Sequence, residues 1–331
     1  VYILDGNTDQ TIEVIRLRNG ELIHDIDINH FSGKIYAAGE YNYYFPNDIA
    51  ADEMNEEPIQ YEDDVVYIID DKNYSDTGYN VLNQALSNDG IKRIKLYGEV
   101  EEGKEGDMSS IAVDTHTDKI YAGIRYFEGG RTGVFIIDGS SNIYTPNTIK
   151  FLPLGETGPD QILVNNKTNT IYASFKDDDF VSLINGSNNR EIEKIILQQP
   201  KAMSINPRDG LLYVAGGDGF WFNVINMNTT KVIASNTEIN YPIASAVTGT
   251  TMTGRIYVAD CLQCGHYNFA HGTSIYELDN NGSTLNWRTF NDINIEENEL
   301  AINPYTNKLY AIGTDIQSGK SNLYVINISS Q

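Results

Sequence analysis

The chain has 331 residues, and its 46 Asp and Glu residues outnumber its 23 Lys and Arg residues, which gives a formal net charge of −23 at pH 7. A protein this acidic repels phosphate backbones and anionic lipid head groups, so we expect no nucleic-acid partner. No apolar run approaches the roughly 18 residues of a membrane-spanning helix, so no membrane span is predicted.

Two short β runs separated by a few turn-forming residues recur along the chain. The first run ends in Asn or Asp, which can accept a hydrogen bond from the backbone two residues on and so close a tight turn. The second run is centred on a tyrosine. Each pair is therefore predicted to be a β-hairpin, with these tyrosines in equivalent positions: Tyr36, Tyr121, Tyr172, Tyr213, Tyr257 and Tyr310.

A third run follows every hairpin, and a more polar fourth run follows most of them. The third runs end in Asn or Asp and cover residues 65–70, 134–138, 181–185, 222–226, 275–279 and 323–327, with a seventh copy at residues 1–5. Four strands in a repeat of about 40 to 50 residues are typical of a β-propeller blade. We expect one all-β domain over residues 1–331, a β-propeller of four-stranded antiparallel blades. Seven blades are favoured, because there are seven third runs, and six are the alternative.

Residues 205–216, Ile-Asn-Pro-Arg-Asp-Gly-Leu-Leu-Tyr-Val-Ala-Gly, resemble the YVTN-type β-propeller repeat, and residues 134–139 and 154–159 fit the same pattern. The resemblance extends over essentially the whole chain. It implies a secreted or surface-layer-associated protein of the kind found in archaea and bacteria, located outside the cell. The wider propeller class also includes lyases, lactonases and electron-transfer enzymes, and the fold does not choose between these activities.

The connections between second and third strands hold most of the additional residues, which predicts a binding surface at that end of the blades. The longest connection is an acidic and aromatic insertion at residues 40–64. Aromatic anchors dominate the energy of protein interfaces. The partner-binding interpretation therefore rests on the aromatic residues Tyr41, Tyr43, Tyr44, Phe45 and Tyr61. The alternative is a solvated loop whose aromatic side chains pack on neighbouring blades.

A second acidic segment follows the third run that ends at Asp70. Asp71, Asn73 and Asp76 place oxygen ligands at alternating positions, as a calcium-binding loop does. Leu82 stands where an EF-hand needs a closing glutamate, so an EF-hand is excluded. A looser calcium site and an ordinary Asx-rich turn both stay open.

The loop at residues 260–272 contains the only two cysteines of the chain. Cys261, Cys264, His266 and His271 could together bind zinc or copper, since both metals favour thiolate and imidazole ligands. In an extracellular protein, a Cys261–Cys264 disulfide that pins the loop is the favoured alternative. Free thiols are the third possibility.

Six asparagines precede the X-Ser/Thr pattern of an N-glycosylation acceptor, which favours an exported glycoprotein. They are Asn73, Asn166, Asn185, Asn228, Asn281 and Asn327.

No nucleophile elbow, phosphate loop, dinucleotide fingerprint or His-Glu-x-x-His motif is present. We therefore expect an extracellular or cell-surface module that binds a ligand or assembles with other surface or secreted proteins or with further copies of itself. Calcium is a more plausible cofactor than zinc or copper. The alternative is an exported metal-dependent enzyme or redox protein, lyase-like or lactonase-like, that uses the same end of the propeller.

Overall fold

The computed structural model describes residues 2–5, 7–14, 21–44, 60–70, 91–96, 106–126, 132–140, 149–216, 221–239, 241–247, 254–261, 272–303 and 305–328. All regular elements in these ranges are β-strands. The described part of the chain contains no helix with the length and apolar character needed to cross a membrane. Two compact units are distinguished: unit 1 is Val1–Ile3 with Thr11–Asn166, and unit 2 is Leu4–Gln10 with Lys167–Gln331.

Sheets I and II belong to unit 1 and contain four antiparallel strands each, in chain order. Sheet I consists of β3 (Glu21–Asn29), β4 (Lys34–Tyr44), β5 (Gln60–Asp70) and β6 (Ile91–Lys95). Sheet II consists of β7 (Gly106–Asp114), β8 (Lys119–Tyr126), β9 (Gly133–Asp138) and β10 (Lys150–Pro153). A separate two-stranded sheet is formed by β1 (Tyr2–Leu4) and β2 (Thr11–Val14).

The division between the units falls inside sheet III, which consists of β11 (Gln161–Asn165), β12 (Thr170–Phe175), β13 (Phe180–Asn185) and β14 (Arg190–Ile196). Sheet IV consists of β15 (Pro200–Asn206), β16 (Leu211–Gly216), β17 (Phe222–Asn226) and β18 (Lys231–Asn236). Sheet V consists of β19 (Pro242–Val247), β20 (Ile256–Cys261), β21 (Thr273–Leu278) and β22 (Thr284–Phe290). Sheet VI has three strands, β23 (Ile293–Asn303), β24 (Lys308–Asp315) and β25 (Ser321–Asn327).

The chain has a β-propeller fold with antiparallel blades, and sheets I to VI are its six blades. The prediction of seven blades is wrong. The additional third run at the N-terminus forms β1, which pairs with β2 in a two-stranded sheet and is not part of a four-stranded blade. Each blade is built on one hairpin of a first and a second strand, and the described ranges contain six such hairpins. That these blades form a single domain stays a prediction.

The strand-end Asn and Asp residues close the turns as their positions predict. In the turn after β15, the backbone N–H of Arg208 donates to the Asn206 side-chain oxygen at 3.1 Å. In the turn after β17, the N–H of Asn228 donates to Asn226 at 2.9 Å. Four residues after the strand-end Asn or Asp, the backbone enters the left-handed region that Gly, Asn and Asp tolerate best. The positions that share this conformation are Asp9, Gly33, Asp118, Asn169, Asn189, Gly210, Thr230, Asn307 and Gly319.

The six tyrosines of the second strands are equivalent, which confirms the sequence prediction. Each pairs with a third-strand residue that lies two positions before the strand-end Asn or Asp, for example Tyr213 with Val224 and Tyr310 with Val325. Burial raises the pKa of Tyr172 and of Tyr257 to about 12 in each case.

Apolar side chains fill the space between successive sheets within each unit. In unit 1, one core cluster joins Tyr36 of sheet I to Ile120 of sheet II. In unit 2, Tyr213 of sheet IV packs in a cluster with Val258 of sheet V, and sheet V contributes to a further cluster with sheet VI. The tyrosine face of one sheet is thus the face that the next sheet covers.

Candidate functional site

The predicted partner-binding insertion begins and ends inside strands and is not a loop over its whole length. β4 and β5 stay paired as far as Tyr43 with Tyr61 and Tyr44 with Gln60. Among the described residues, the β3 pairing reaches Tyr41 of β4 and the β6 pairing reaches Val65 of β5. Residues 42–44 and 60–62 continue the β4–β5 ladder beyond these pairings, and we name this two-stranded segment the β4–β5 arm. Phe45 lies outside the described residues.

Buried polar groups hold the base of the arm in place. The Glu40 carboxylate lies 2.7 Å from Nε2 of His24, and the Glu40 carbonyl accepts a hydrogen bond from the Tyr67 hydroxyl at 3.1 Å. Arg93 donates to both carboxylate oxygens of Glu21, at 2.5 and 3.1 Å. The guanidinium of Arg93 also lies 5.9 Å from the centroid of the Tyr67 ring. A bidentate pair of this kind fixes orientation as well as adding energy, so the arm projects from a rigid base.

A polar column runs along one side of β3, the first strand of sheet I. Asp25 accepts the backbone N–H of Ile111 at 2.7 Å, and Asp27 accepts the backbone N–H of Val113 at 2.7 Å. Both donors belong to β7, the first strand of sheet II. Asn29 continues the column, because its side-chain amide donates to the Thr115 carbonyl at 3.1 Å. The carboxyls thus satisfy N–H groups of a strand edge that has no backbone partner of its own.

These two carboxyls are half-buried, and their partial loss of solvent changes their acidity. Desolvation raises the pKa of Asp27 to about 6, although the N–H donors Val113 and Ile28 pull it down. Desolvation also raises the pKa of Asp25. Carboxyls with raised pKa values are the usual candidates for general acids. Here each carboxyl has both oxygens engaged by donors of the protein, which makes the column a structural tie between two blades.

The same tie is repeated one blade further in unit 1. Ser110 occupies in β7 the place that Asp25 has in β3, and its hydroxyl accepts the backbone N–H of Ile162 in β11 at 3.0 Å. The Ser110 hydroxyl in turn donates to Asp25 at 2.8 Å. At the start of β11, Asp160 receives a hydrogen bond from Arg125 at 2.6 Å. The first strands of sheets I to III are therefore joined by side chains and not by a backbone ladder.

The predicted metal ligands are only partly within the described residues. Cys261, the last residue of β20, is buried and disulfide-bonded, and the only other cysteine of the chain is Cys264. A disulfide sulfur is not a thiolate ligand. Cys264, His266 and His271 lie outside the described residues, as do Asp71, Asn73 and Asp76 of the predicted calcium site. In the ranges that the structure describes, no three His, Cys, Asp or Glu side chains are grouped as a metal site requires.

The predicted glycosylation acceptors differ in exposure. Asn228, Asn281 and Asn327 are exposed. The Asn166 side chain is half-buried and accepts the N–H of Thr115 at 2.9 Å. Asn185 is the strand-end residue of its own turn and accepts the N–H of Ser187 at 2.9 Å. Asn73 lies outside the described residues.

Sequence reasoning missed the polar column, although a signal for it exists. Asp27 occupies the position that holds Ala112, Leu163, Ser204, Ala246 and Ala301 in the other first strands. A carboxylate where sister repeats place small or apolar residues is a departure that needs a partner when it is buried. The partner itself is 86 residues away in the chain, so the repeat pattern alone does not identify it.

No protein-family model matches the chain, and no curated protein is similar to it in sequence. Solved structures do resemble it. The structure of U3-55K superposes with a TM-score of 0.59 at 10% identity, over 91% of this chain and 77% of that one. Dihydro-heme d1 dehydrogenase NirN in complex with DHE superposes with a TM-score of 0.57 at 13% identity, over 99% of this chain and 61% of that one.

Hydrazine synthase of Kuenenia stuttgartiensis is a further similar structure, with a TM-score of 0.55 at 14% identity over 70% of this chain. The match spans 66% of the hydrazine synthase chain. At these identities the similarity establishes the β-propeller fold and does not transfer an activity.

Proposed function

We propose that the chain is a non-catalytic β-propeller that works outside the cell or at its surface, where the β4–β5 arm binds a protein partner. The observation that carries the proposal is the arm, because the β4–β5 ladder continues beyond the described pairings of β3 and β6 and includes three tyrosines, Tyr43, Tyr44 and Tyr61. Aromatic residues on a preorganised element bind with little loss of conformational entropy. The buried Arg93–Glu21 pair and the contact between the exposed His24 and the buried Glu40 supply that preorganisation.

The extracellular location is supported by the disulfide at Cys261, since disulfides persist in oxidising compartments. It is also supported by the exposed acceptors Asn228 and Asn281, which occupy the same place in the turns that follow β17 and β21. The YVTN-type resemblance of residues 205–216 points to the same location. Calcium at residues 71–76 is compatible with such a module and is part of this proposal only as an optional ligand.

The competing function is an exported metal-dependent enzyme or redox protein. Such an enzyme needs a reactive group in the blades. Asp25 and Asp27 are the carboxyls with raised pKa values, and both accept hydrogen bonds from backbone N–H groups. It also needs Cys261 as a thiolate, whereas this residue is disulfide-bonded. These two facts favour the binding module.

The proposal is tested by placing a photo-cross-linking phenylalanine analogue at Tyr44 in the protein displayed on its native cells. We expect a covalent adduct with one surface or secreted protein. The matched control carries the analogue at Tyr305, which is 87% exposed in a turn of sheet VI, and should give no such adduct. The same adducts from both positions, or none from Tyr44, would show that the arm is not the binding element.

A second variant tests the energetic role of the arm. Tyr43→Ser, Tyr44→Ser and Tyr61→Ser together should weaken binding of the cross-linked partner at least tenfold, because each anchor is worth about 1 kcal/mol or more. Tyr305→Ser should leave binding unchanged. An unaltered affinity of the triple variant would contradict the assignment.

A further inference from the structure

A pair of aromatic side chains lies at the outer margin of sheet V. Trp287 of the fourth strand, β22, is 62% exposed, and its ring stacks on Tyr276 of β21 with the ring centroids 6.5 Å apart and the ring planes inclined by 26°. The two residues are direct cross-strand partners. Sheet V has all four of its strands, so this exposure belongs to a complete blade. An exposed indole supported by a second ring offers a flat face to a ligand.

The same cross-strand position holds a cation in two other sheets. It is the position three residues before the strand-end Asn or Asp of the third strand, together with its partner in the fourth strand. In sheet I the partners are Tyr67 and Arg93, and the Arg93 guanidinium lies 5.9 Å from the centroid of the Tyr67 ring. In sheet III the fourth-strand partner is Lys194, whose ammonium lies 4.0 Å from the centroid of the Phe180 ring. Sheet V has two aromatic residues at this position instead.

The charges beside the aromatic pair are carboxylates. Glu238 follows β18 of sheet IV and is exposed. Its backbone N–H donates to Asn236 at 2.8 Å, and the Asn236 amide donates to the Thr284 hydroxyl of β22 at 2.9 Å, which holds this segment against sheet V. Burial raises the pKa of Tyr276, and the Asp260 and Glu238 carboxylates raise it further. Their field favours a cation at the ring over an anion.

The arginines of sheet V and its turns are directed to the other face of the sheet. Arg288 follows the exposed tryptophan, and successive side chains of a strand point to opposite faces. Its guanidinium lies 4.9 Å from the centroid of the Phe290 ring. Arg255 pairs at 3.3 Å with Glu277, which also alternates to that face. The cation for the aromatic pair therefore has to come from another molecule.

We propose that Trp287 and Tyr276 form a docking site for a basic segment of a partner protein, with an arginine side chain over the exposed indole face. Tryptophan attracts cations more strongly than the other aromatic rings. The Glu238 carboxylate pairs with the positive charge of the segment. Sheet I makes the same arrangement within the chain, where Arg93 contacts both an aromatic ring and a carboxylate. The net charge of −23 also attracts a basic partner. The site does not depend on the function proposed for the β4–β5 arm.

The first test uses a synthetic peptide amide that alternates glycine and arginine. Trp221 and Trp287 are the only tryptophans of the chain, so Trp221→Phe makes Trp287 the only fluorescent indole. We expect the peptide to change this fluorescence in a saturable manner. A control peptide with citrulline in place of arginine keeps the shape without the charge and should have no effect. Equal responses to both peptides, no response to the arginine peptide at millimolar concentration, or a response to neutral oligosaccharides alone would overturn the proposal.

Calorimetric titration of variants with the arginine peptide separates the site from general attraction to an acidic protein. Trp287→Ser keeps the net charge and should weaken binding about fivefold or more. The matched control Tyr305→Ser removes an aromatic ring that is 87% exposed in sheet VI and should not change binding.

A second pair of variants tests the carboxylate. Glu238→Gln should weaken binding about threefold or more, whereas Glu193→Gln, which removes the same charge from an exposed position of β14, should have a clearly smaller effect. All the substituted side chains of these titrations are exposed, so the variants should unfold at the temperature of the unmodified protein. An unchanged affinity of Trp287→Ser, or equal losses for the two glutamate variants, would contradict the assignment.

Discussion

At the scale of single residues, the half-buried carboxyls of Asp25 and Asp27 in β3 accept hydrogen bonds from the backbone of the next sheet. Asp25 and Asp27 are held beside the apolar core because each accepts a backbone N–H that would otherwise be unpaired. Burying a carboxylate costs free energy even when it is hydrogen-bonded. The cost appears as a raised pKa, about 6 for Asp27. The native protein therefore holds protons that the unfolded chain, with a carboxyl pKa near 3.8, releases.

This linkage predicts how stability changes with pH. Between about pH 4 and pH 6 the native state binds more protons than the unfolded state, so the free energy of unfolding should fall as pH rises, by up to about 3 kcal/mol for Asp27. Asp27→Asn keeps an oxygen acceptor for the Val113 N–H and removes the titration. In urea unfolding at a series of pH values, the variant should lose most of this decline.

Asp315→Asn is the matched control for that experiment. Hydrogen bonds from Ser318 lower the pKa of Asp315, so its removal should change the pH dependence with the opposite sign. An Asp27→Asn curve parallel to that of the unmodified protein would show that the Asp27 carboxyl is ionised in the native state at pH 5.

Substitutions of Tyr213 test how one blade packs on the next. It is fully buried, and its ring packs with Phe222 of its own sheet in the cluster that reaches Val258 of sheet V. Tyr213→Ala should lower the free energy of unfolding by about 3–5 kcal/mol. Tyr213→Phe, which loses the hydroxyl contact to the Asn280 carbonyl at 3.5 Å, should cost about 1 kcal/mol or less. A loss below about 1 kcal/mol for Tyr213→Ala would mean that the inter-sheet contact is absent.

At the scale of elements, one turn contains a residue whose type is unfavourable for its backbone conformation. Thr230 has a φ of 55°, in the left-handed region, where the equivalent turn of sheet III has Asn189. A β-branched residue is strained there. Thr230 is also the third residue of the acceptor pattern that begins at Asn228.

Exchanging the two turn residues tests this strain. Thr230→Asn should raise the free energy of unfolding by about 1 kcal/mol, reduced by loss of the hydroxyl contact to Glu193. The reverse change in the sister turn, Asn189→Thr, should lower it by about 1 kcal/mol. Thermal unfolding of the two single variants measures both effects. Changes of the same sign in both turns would contradict the strain argument.

The elements differ in how far the sequence predicts them. The hairpins and their turns follow from local patterns: a strand-end Asn such as Asn206, a residue that tolerates the left-handed conformation such as Gly210, and a central tyrosine such as Tyr213. The length of β4 and β5 does not, because the pairing of Tyr43 with Tyr61 depends on two segments that are separated by an insertion. The acidic and aromatic composition of residues 40–64 predicts either a partner-binding loop or a solvated loop, and it does not predict that the two strands extend into this segment.

At the scale of the whole molecule, counting repeats predicts the architecture and misjudges the number of blades. The third-type run at residues 1–5 predicts a seventh blade, but in the structure it forms β1, which pairs with β2 in a two-stranded sheet. The described residues contain six tyrosine-centred hairpins, one in each of sheets I to VI. The polar column of Asp25 and Asp27 likewise depends on contacts between repeats, which a comparison of each repeat with its sisters does not predict.

The function that we propose makes the chain a disulfide-stabilised binding module. The most direct test is the intact mass of the unreduced, alkylated protein, measured together with its zinc, copper and calcium content. The account predicts two cysteines that resist alkylation, at the mass of one internal disulfide, with no stoichiometric zinc or copper. One zinc or copper per chain, lost when His266 or His271 is replaced by alanine, would contradict it and make the loop at residues 260–272 the functional centre.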